Sequence, residues 1–441
     1  MFQTYLLFMV MTQLQPKLQP KVKPEPLKDC IESLAFKSLG LSGTTFYSPF
    51  TSSFNSATAP TSTYTLQGIK TNPYGSREEK ASYIIAGTSG SPFAAGGVGA
   101  LYVGAIDGQA TSGGSGSGQW INFNVPFTGS TGTSCYGADI LSPGKGPGGI
   151  GNVALVGTWT NNVGNILGFY YEGSLNQLKD ASTAPNRFKS FQAVTGSGAF
   201  AKNTYLHSVD GGYAVGNFST EAGYIGLFLN SGLGSGSYIY NPKTHSQINA
   251  VYKDQYTYHT LFGIWLNKDK TYTVSGGGTT ESLAIGYAAA SQKLPGPVQK
   301  GLPQDGAFGR GMLADMDPLT GMAKNAKYYN YQNDPSGQVF THFQGIYYAG
   351  NGVYEVPFDA LTSAGKFNVG IAYIKRQDNG TFSENALWQT FPRTTAGILT
   401  SNDSVAGAAS VGALINGNGS LTTFASISET QSYLFAANFL Q

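Results

Sequence analysis

Three of the four histidines, His207, His259 and His342, lie one, four and three residues before a small residue that recurs along the chain. Imidazole can transfer a proton or bind a metal near neutral pH, so one hypothesis joins them with Tyr205 as an acid–base group. The alternative is that each histidine caps a strand by hydrogen bonding to the backbone, and the unequal offsets favour this interpretation. We therefore predict no metal site, and a ligand-binding set of Tyr205, His259, Trp265 and His342.

The acidic residues near the repeats fit turns better than they fit a site. Asp315 and Asp317 precede Pro-Leu-Thr-Gly, which predicts a turn. Asp139 and Asp210 follow short apolar runs and are interpreted as turn residues too. The Gly-rich stretch 142–151 lacks the Gly-Lys-Ser/Thr ending of a phosphate loop and contains two prolines. The sequence therefore predicts no cofactor.

Composition limits both the fold and the partners. The 441 residues include 60 glycines, and only 11% are charged, with a net charge of +2. Glycine and β-branched residues disfavour helix, so short strands joined by tight turns are expected. The balanced charge predicts no nucleic-acid partner.

A short run centred on a small residue begins each of six repeats. Its copies are Thr65–Ile69, Ser134–Ala138, Tyr205–Val209, Thr260–Ile264, His342–Ile346 and Thr394–Ile398. Second, alternating runs begin at Ser82, Asn152, Gly212, Thr271, Val353 and Ser404. Third runs begin at Gly99, Ile166, Tyr224, Gly311, Val369 and Val411. Aromatic fourth runs include Trp120–Phe123, Phe188–Phe191, Tyr328–Tyr331 and Leu387–Phe391.

Four short strands with period-two patterning, repeated six times, predict an all-β fold, a six-bladed β-propeller of four-stranded blades. Blades crowd together at the axis of a propeller, which suits the small residues of the first run. They diverge at the rim, which suits the bulky aromatic residues of the fourth run. The alternative, a β-sandwich followed by a second all-β domain, does not predict a recurring segment.

Propellers bind ligands mostly at one mouth of the central channel, on loops that a rigid scaffold holds in place. We name the face at which the first strands begin the leading face, and the opposite one the trailing face. The residues three before each central residue should ring the leading face, and the insertion 277–308 should overhang it. They are Thr65, Ser134, Tyr205, Thr260, His342 and Thr394.

The N-terminal part differs from the repeats. Residues 1–28 are an apolar start, too short to cross a bilayer, and a proline-rich linker. Residues 29–62 are predicted to form one short helix and an irregular segment, and residues 63–441 the propeller with a C-terminal closing strand. Pairing between Cys30 and Cys135 stays open.

Segments of the repeats resemble a group of uncharacterised bacterial proteins. The segments Thr257–Trp265 and Thr271–Gly277 resemble the T-x-x-G-I and Y-T-I-A-G-G segments that recur in that group. Asn165–Gly173 and Thr341–Ile346 are similar to other segments of the same proteins. The resemblance covers about residues 63 to 427 and implies a propeller-like fold, with no known activity or site residues.

The absence of a catalytic motif in the sequence and its low charge lead us to expect a non-enzymatic protein that is extracellular or exposed at the cell surface. Its expected role is macromolecular binding, to protein or glycan, or structural self-assembly. One alternative is a carbohydrate-active hydrolase or lyase working at the channel mouth through His207, His259, His342 and Tyr205. Another is a glycan-binding lectin that uses the mouth tyrosines and Trp265.

Overall fold

A computed structural model provides the fold of most of the repeat region. It describes residues 44–47, 64–74, 82–90, 96–105, 118–220, 236–256, 258–279, 309–333, 339–361, 367–390, 421–426 and 432–437. The chain separates into one unit of residues 1–40 with Gln441 and a second of residues 41–440. All described residues lie in the second unit. The predicted helix at 29–39, Cys30 and the runs of the sixth repeat lie outside them.

Apart from a sheet formed by the two chain ends, the described chain forms five consecutive sheets of antiparallel strands, each built in chain order. One parallel pair, Ile166 with Asn203, joins the second of these sheets to the third as a continuous eight-stranded sheet. Sheet 1 contains β2 (Tyr64–Thr71), β3 (Ser82–Ser89), β4 (Val98–Ala105) and β5 (Gln119–Phe123). Sheet 2 contains β6 (Ser130–Ile140), β7 (Asn152–Asn161), β8 (Ile166–Ser174) and β9 (Phe188–Phe191). Sheet 3 contains β10 (Asn203–Asp210), β11 (Tyr213–Ser219), β12 (Gly236–Asn241) and β13 (Ser246–Asn249).

Sheets 4 and 5 repeat this order. Sheet 4 contains β14 (Tyr258–Leu266), β15 (Tyr272–Thr279), β16 (Arg310–Met316) and β17 (Ala323–Tyr329). Sheet 5 contains β18 (Phe340–Phe343), β19 (Tyr347–Gly350), β20 (Val353–Leu361), β21 (Phe367–Lys375) and β22 (Leu387–Thr390). Its first strand is broken at residues 344–346, so that β18 and β19 both pair with β20.

The all-β prediction and the four-stranded sheets are confirmed. One strand assignment is wrong, because β12 takes the place beside β11 that the run at Tyr224–Leu229 was expected to fill. Asp315 is also not a turn residue, since it lies inside β16, whereas Asp317 does begin the turn to β17. The run at 224–229 itself lies outside the described residues, and the pairing with β11 is what assigns the third strand of sheet 3 to β12.

Helix is a minor part of the described residues. The α-helix α1 (Leu175–Lys179) begins at the Ser174 capping box, in which Ser174 and Gln177 bind each other's backbone N–H groups. Four 3₁₀ turns lie at Pro147–Gly149, Ala181–Thr183, Pro185–Arg187 and Tyr331–Asn333. No helix within the described ranges is long and apolar enough to span a membrane.

Consecutive first strands meet at the small residues of the repeat. A methyl group on Gly137 of β6 would lie 2.7 Å from the His207 carbonyl oxygen of β10. A methyl group on Gly263 of β14 would lie 2.9 Å from the Gly345 backbone in sheet 5. A methyl group on Gly68 of β2 would likewise lie within contact distance of the Tyr136 carbonyl oxygen of β6. Glycine is therefore required there by the approach of two backbones.

The hydrophobic core lies between the faces of consecutive sheets. Ile84 and Leu101 of sheet 1 share one cluster with Phe169 of sheet 2. Further clusters join sheet 2 to sheet 3, sheet 3 to sheet 4, and sheet 4 to sheet 5. Each sheet thus buries both faces, which explains why its middle strands are apolar on both sides.

A further sheet joins the two ends of the second unit. Strand β1 (Thr44–Tyr47) pairs antiparallel with β24 (Ser432–Ala437), which pairs with β23 (Leu421–Ser426). Strands β23 and β24 lie beside β2 of sheet 1. The strand predicted at the C-terminal end of the fold is present as β24, and β1 is one of its partners.

Candidate functional site

The structure divides the three histidines between two groups. His207 stacks on Phe262 with ring centroids 4.0 Å apart, and Phe262 contacts His342 edge-on at 4.7 Å. Tyr205 stacks on the other side of His207 at 5.9 Å. His259 belongs to a separate group at the start of β14.

His342 is buried, and His207 is partly buried between aromatic rings. Burial lowers the pKa of both imidazoles to about 3. Gln344 Nε2 donates to His342 Nδ1 at 3.2 Å, which leaves the proton of His342 on Nε2, 2.7 Å from Thr260 Oγ1. His342 bonds the side chains of Thr260 and Gln344, and His207 contacts aromatic rings, so backbone capping by these histidines stays a prediction. Their lowered pKa makes both poor candidates for acid–base chemistry near neutral pH.

A carboxylate, an imidazole and a phenol share hydrogen bonds at the start of β14. His259 Nε2 lies 3.2 Å from a carboxylate oxygen of Asp254 and 2.9 Å from Tyr328 Oη. The Tyr328 hydroxyl in turn donates to Asp254 Oδ2. Three elements supply these groups: the segment between β13 and β14, β14 itself, and β17. We name Asp254, His259 and Tyr328 the acid–base group.

Two further tyrosines enclose the acid–base group. Tyr252 stacks on His259 with centroids 3.6 Å apart and rings nearly parallel. Tyr256 packs on Tyr328 at 4.2 Å. Gly278 of β15 makes room for them, because a methyl group there would lie 3.2 Å from Tyr256 and closer still to Tyr328. The result is an aromatic-walled recess at the leading end of sheet 4.

The residues of the recess differ in their exposure to solvent. His259 is 8% exposed, whereas the Asp254 side chain is 18% exposed, and Tyr256 and Tyr328 are partly buried. Asp254, Tyr256 and Tyr328 are therefore accessible to a ligand, whereas the ring of His259 is covered by Tyr252. Such a mixture of aromatic faces and a few convergent polar groups is typical of small-molecule sites.

Electrostatics assign the protons within the group. Burial opposes ionisation of Asp254, but hydrogen bonds from His259 and Tyr328 outweigh it and hold the pKa of Asp254 below its usual value. Burial, followed by the Asp254 carboxylate, raises the pKa of Tyr328 well above its usual range. At neutral pH the carboxylate is therefore ionised and the phenol keeps its proton, so that Asp254 accepts and Tyr328 donates.

Trp265 lies far from the other predicted ligand-binding residues. It is six residues after His259 on β14, which places it about 20 Å along the strand, at the trailing end. Its ring lies 4.8 Å from Lys70 Nζ and 5.2 Å from the ring of Tyr347. The set of Tyr205, His259, Trp265 and His342 does not form one site.

The trailing ends of the first strands meet in a charged cluster. Lys70 Nζ lies 2.6 Å from Asp210 Oδ1 and 3.5 Å from Asp139 Oδ1. Each of these residues, like Trp265 and Tyr347, is two positions after the central small residue of its own repeat. Equivalent positions of five repeats thus converge. We name Lys70, Asp139 and Asp210 the lysine cluster.

The lysine cluster also joins neighbouring sheets through the backbone. Asp139 Oδ2 accepts the N–H of Gly211 in sheet 3 at 3.3 Å, and Asp210 accepts the N–H of Leu266 in sheet 4. Burial opposes the charge on Lys70, but Asp210 and Asp139 outweigh it and raise the pKa of Lys70 above its usual range. Asp139 and Asp210 are strand-end ion-pair partners, and their interpretation as turn residues was wrong.

Sequence reasoning found His259 but missed its partners. Asp254 and Tyr328 lie 5 and 69 residues from it in the chain, and no motif links them. The one available signal was the Tyr-rich segment before β14, which contains Tyr252, Asp254 and Tyr256. Within the described residues, no group of three or more His, Cys, Asp or Glu side chains is placed to hold a metal ion.

Comparison with known proteins finds similarity in structure and no match by sequence. No protein family and no curated protein matches the sequence. A sialidase of Trypanosoma rangeli is 8% identical with a TM-score of 0.44, over 85% of this chain and 54% of the sialidase. A GH43_1 enzyme of Xanthomonas citri, solved with xylose, is 10% identical with a TM-score of 0.36, over 72% of this chain and 90% of the enzyme. A hypothetical protein of Leishmania major is 11% identical with a TM-score of 0.35, over 82% and 98% of the two chains.

These findings contradict the expectation of a non-enzymatic binding or assembly protein. The similar structures include a GH43_1 enzyme and a sialidase, and the carbohydrate-active alternative is therefore taken up as a proposal below. At such identities and TM-scores the likeness assigns no substrate and no residue. The choice of residues below therefore depends on the site itself.

Proposed function

We propose that this chain is a carbohydrate-active enzyme that cleaves a glycosidic bond in the recess of Tyr252, Asp254, Tyr256, His259 and Tyr328. The observation that carries the proposal is the shared hydrogen bonding of the Asp254 carboxylate with His259 and Tyr328. Glycoside cleavage requires proton transfer to the leaving oxygen and stabilisation of positive charge on the sugar ring. In this proposal the Tyr328 hydroxyl donates the proton and the Asp254 carboxylate stabilises the positive charge.

The walls of the recess support a sugar as the ligand. A sugar ring has apolar faces and polar edges, so it packs on aromatic rings while its hydroxyls bind polar groups. Tyr256 and Tyr328 present ring surface beside the one exposed carboxylate of the recess. The low charge of the chain, 11% of residues, also supports an extracellular location, where polymeric glycans are found.

A propeller would place this recess at the mouth of a channel. Five four-stranded sheets in chain order, first strands in contact through small residues, and cores between consecutive sheets all support such an arrangement. Tyr347 of sheet 5 also hydrogen-bonds to Thr71 of sheet 1, which supports a closed ring. With the terminal sheet beside β2, we propose six blades.

Removing the acid–base group should abolish cleavage and leave the fold intact. Tyr328→Phe and Asp254→Asn keep side-chain shape while removing the donor and the charge, and we expect each to lower turnover by about 10² to 10⁴. The measurement is release of reducing ends from a panel of polysaccharides and oligosaccharides. Tyr331→Phe is the matched control, because it removes a hydroxyl that bonds Thr390 in sheet 5, away from the recess.

Two outcomes would change the proposal. Binding of a glycan by the wild-type protein without any cleavage would favour the lectin alternative. Cleavage that is unaffected by Tyr328→Phe and Asp254→Asn would mean that the reaction takes place elsewhere, and would overturn the assignment of these residues.

A further inference from the structure

Arg310 belongs to the same face of sheet 4 as the acid–base group. The strand register pairs His259 of β14 with Gly278 of β15, and Gly278 with Arg310 of β16. Directly paired residues project from the same face, so His259 and Arg310 flank the space that Gly278 leaves free. Two strand spacings separate their backbones, about 10 Å. The Tyr328 ring lies against Gly278, between them.

One nitrogen of the Arg310 guanidinium lacks a partner where one is expected. Its Nη1 is fully buried and has no hydrogen-bond partner among the residues that the structure describes. Arginine keeps its charge at every pH that proteins meet, and a buried charged donor without a partner is costly. Buried polar groups are nearly always satisfied, so an exception in a recess points to a group that arrives with the ligand.

A second arginine shows how this chain treats a guanidinium that serves the fold. Arg376 of β21 lies 2.9 Å from Asp315 Oδ2 and 3.3 Å from Asp269 Oδ2. Two carboxylates of sheet 4 thus neutralise it. Arg310 has no ion pair within the described ranges, and the Asp254 carboxylate is already engaged by His259 and Tyr328. Both arginines bury one nitrogen without a hydrogen-bond partner, Nη1 of Arg310 and Nε of Arg376, but only Arg376 has carboxylates to neutralise its charge. The missing counter-charge favours a ligand role for Arg310.

Resting on the proposed function, we infer that the recess selects glycans that carry an anionic group, and that Arg310 binds this group. A carboxylate or a sulfate ester offers two oxygens to the planar guanidinium fork, which is the geometry that arginine binds best. The anion would satisfy Nη1 and neutralise the charge, while the sugar ring packs on Tyr256 and Tyr328. Arg310 is a specificity residue in this account, and the acid–base group is separate from it.

The test compares binding of sugars that differ only in charge. Oligosaccharides of glucuronate, galacturonate and mannuronate are titrated calorimetrically beside their methyl esters, and a sulfated neutral oligosaccharide is titrated beside its unsulfated form. We expect at least one acidic member to bind roughly ten- to a hundredfold more tightly than its neutral partner, the usual effect of a hydrogen bond to a charged group. Arg310→Met should remove that preference and leave binding of the neutral member unchanged.

Controls separate the inference from a loss of folding and from the proposed function. Arg187→Met removes one charge from an exposed site in sheet 2 and should keep the preference, and Arg310→Lys should keep part of it. The carboxylate and sulfate pairs identify which anion is bound. No preference in any pair, or a preference that persists in Arg310→Met, would overturn the inference even if neutral glycans are cleaved. A preference without cleavage would uphold it and remove the proposed reaction.

Discussion

At the scale of single residues, Glu355 is the most unusual group outside the recess. It is fully buried on β20, and neither carboxylate oxygen has a hydrogen-bond partner within the described part of the chain. Its cross-strand neighbours are Tyr347 and Tyr373. Burial raises the pKa of Glu355 to about 8, so the side chain is neutral in the folded protein at pH 7.

Glu355 should make stability fall as the pH rises. The unfolded chain loses this proton near the ordinary pKa of 4.5, whereas the folded chain keeps it until about pH 8. Between those values the free energy of unfolding should decrease by about 1.4 kcal/mol for each pH unit, and outside them the contribution should be constant. Urea unfolding at a series of pH values measures the slope.

The Glu355→Gln variant should lack this component of the slope. Glu384→Gln is the matched control, because the Glu384 side chain is 84% exposed. The dependence of unfolding free energy on pH should be the same in this variant as in the wild-type protein. Identical slopes in Glu355→Gln and in the wild-type protein would show that Glu355 is ionised in the folded state, and the prediction would be wrong.

At the scale of elements, the first strands of the sheets position polar side chains at both of their ends. Their leading ends position His259 and His342, and their trailing ends carry the lysine cluster. Because equivalent positions of successive repeats converge, one side chain can reach residues of two other sheets. Lys70 of sheet 1 does so with Asp139 of sheet 2 and Asp210 of sheet 3.

Lys70→Met should destabilise the protein by roughly 3 to 5 kcal/mol, because it leaves two carboxylates buried together without a counter-charge. The triple variant Lys70→Met, Asp139→Asn and Asp210→Asn should recover part of the loss, since no charge remains. The measurement is the free energy of unfolding in urea. Lys145→Met, at an exposed loop position, should change it by less than about 0.5 kcal/mol. A small effect of Lys70→Met would mean that the cluster is already neutral or solvated.

At the scale of the whole molecule, the second unit is closed by its own ends. The N-terminal strand β1 pairs with the C-terminal hairpin of β23 and β24, and this sheet lies beside β2. Pairing between segments almost four hundred residues apart converts an edge at each end of the chain into hydrogen-bonded sheet. The terminal sheet is thus expected to stabilise every sheet that depends on ring closure.

Deletion of residues 1–47 should therefore lower stability more than deletion of residues 1–40. The longer deletion removes β1 and exposes the edge of β24, and the lost hydrogen bonds correspond to about 1 to 3 kcal/mol of unfolding free energy. Thermal and urea unfolding of the two deletion variants provide the comparison. Equal stability would show that β1 contributes nothing to closure.

The repeat could be predicted from the sequence because its signals are local. Period-two runs and small central residues placed the first strands at Gly68, Gly137, Ser208 and Gly263, and the structure has strands there that touch through those residues. The same reasoning failed for the third strand of sheet 3, where two apolar runs compete and only pairing with β11 decides between them.

The sequence by itself determined that this chain forms short strands in four-stranded sheets, because backbone pattern and residue size act between near neighbours. Only the tertiary structure decided which side chains meet. Tyr328 reaches His259 within sheet 4 although 69 residues separate them, Asp254 joins them from the segment before β14, and Lys70 reaches Asp139 and Asp210 in two other sheets. Burial in that arrangement, and not residue type, lowers the pKa of His207 and His342 and leaves Arg310 Nη1 without a partner among the described residues.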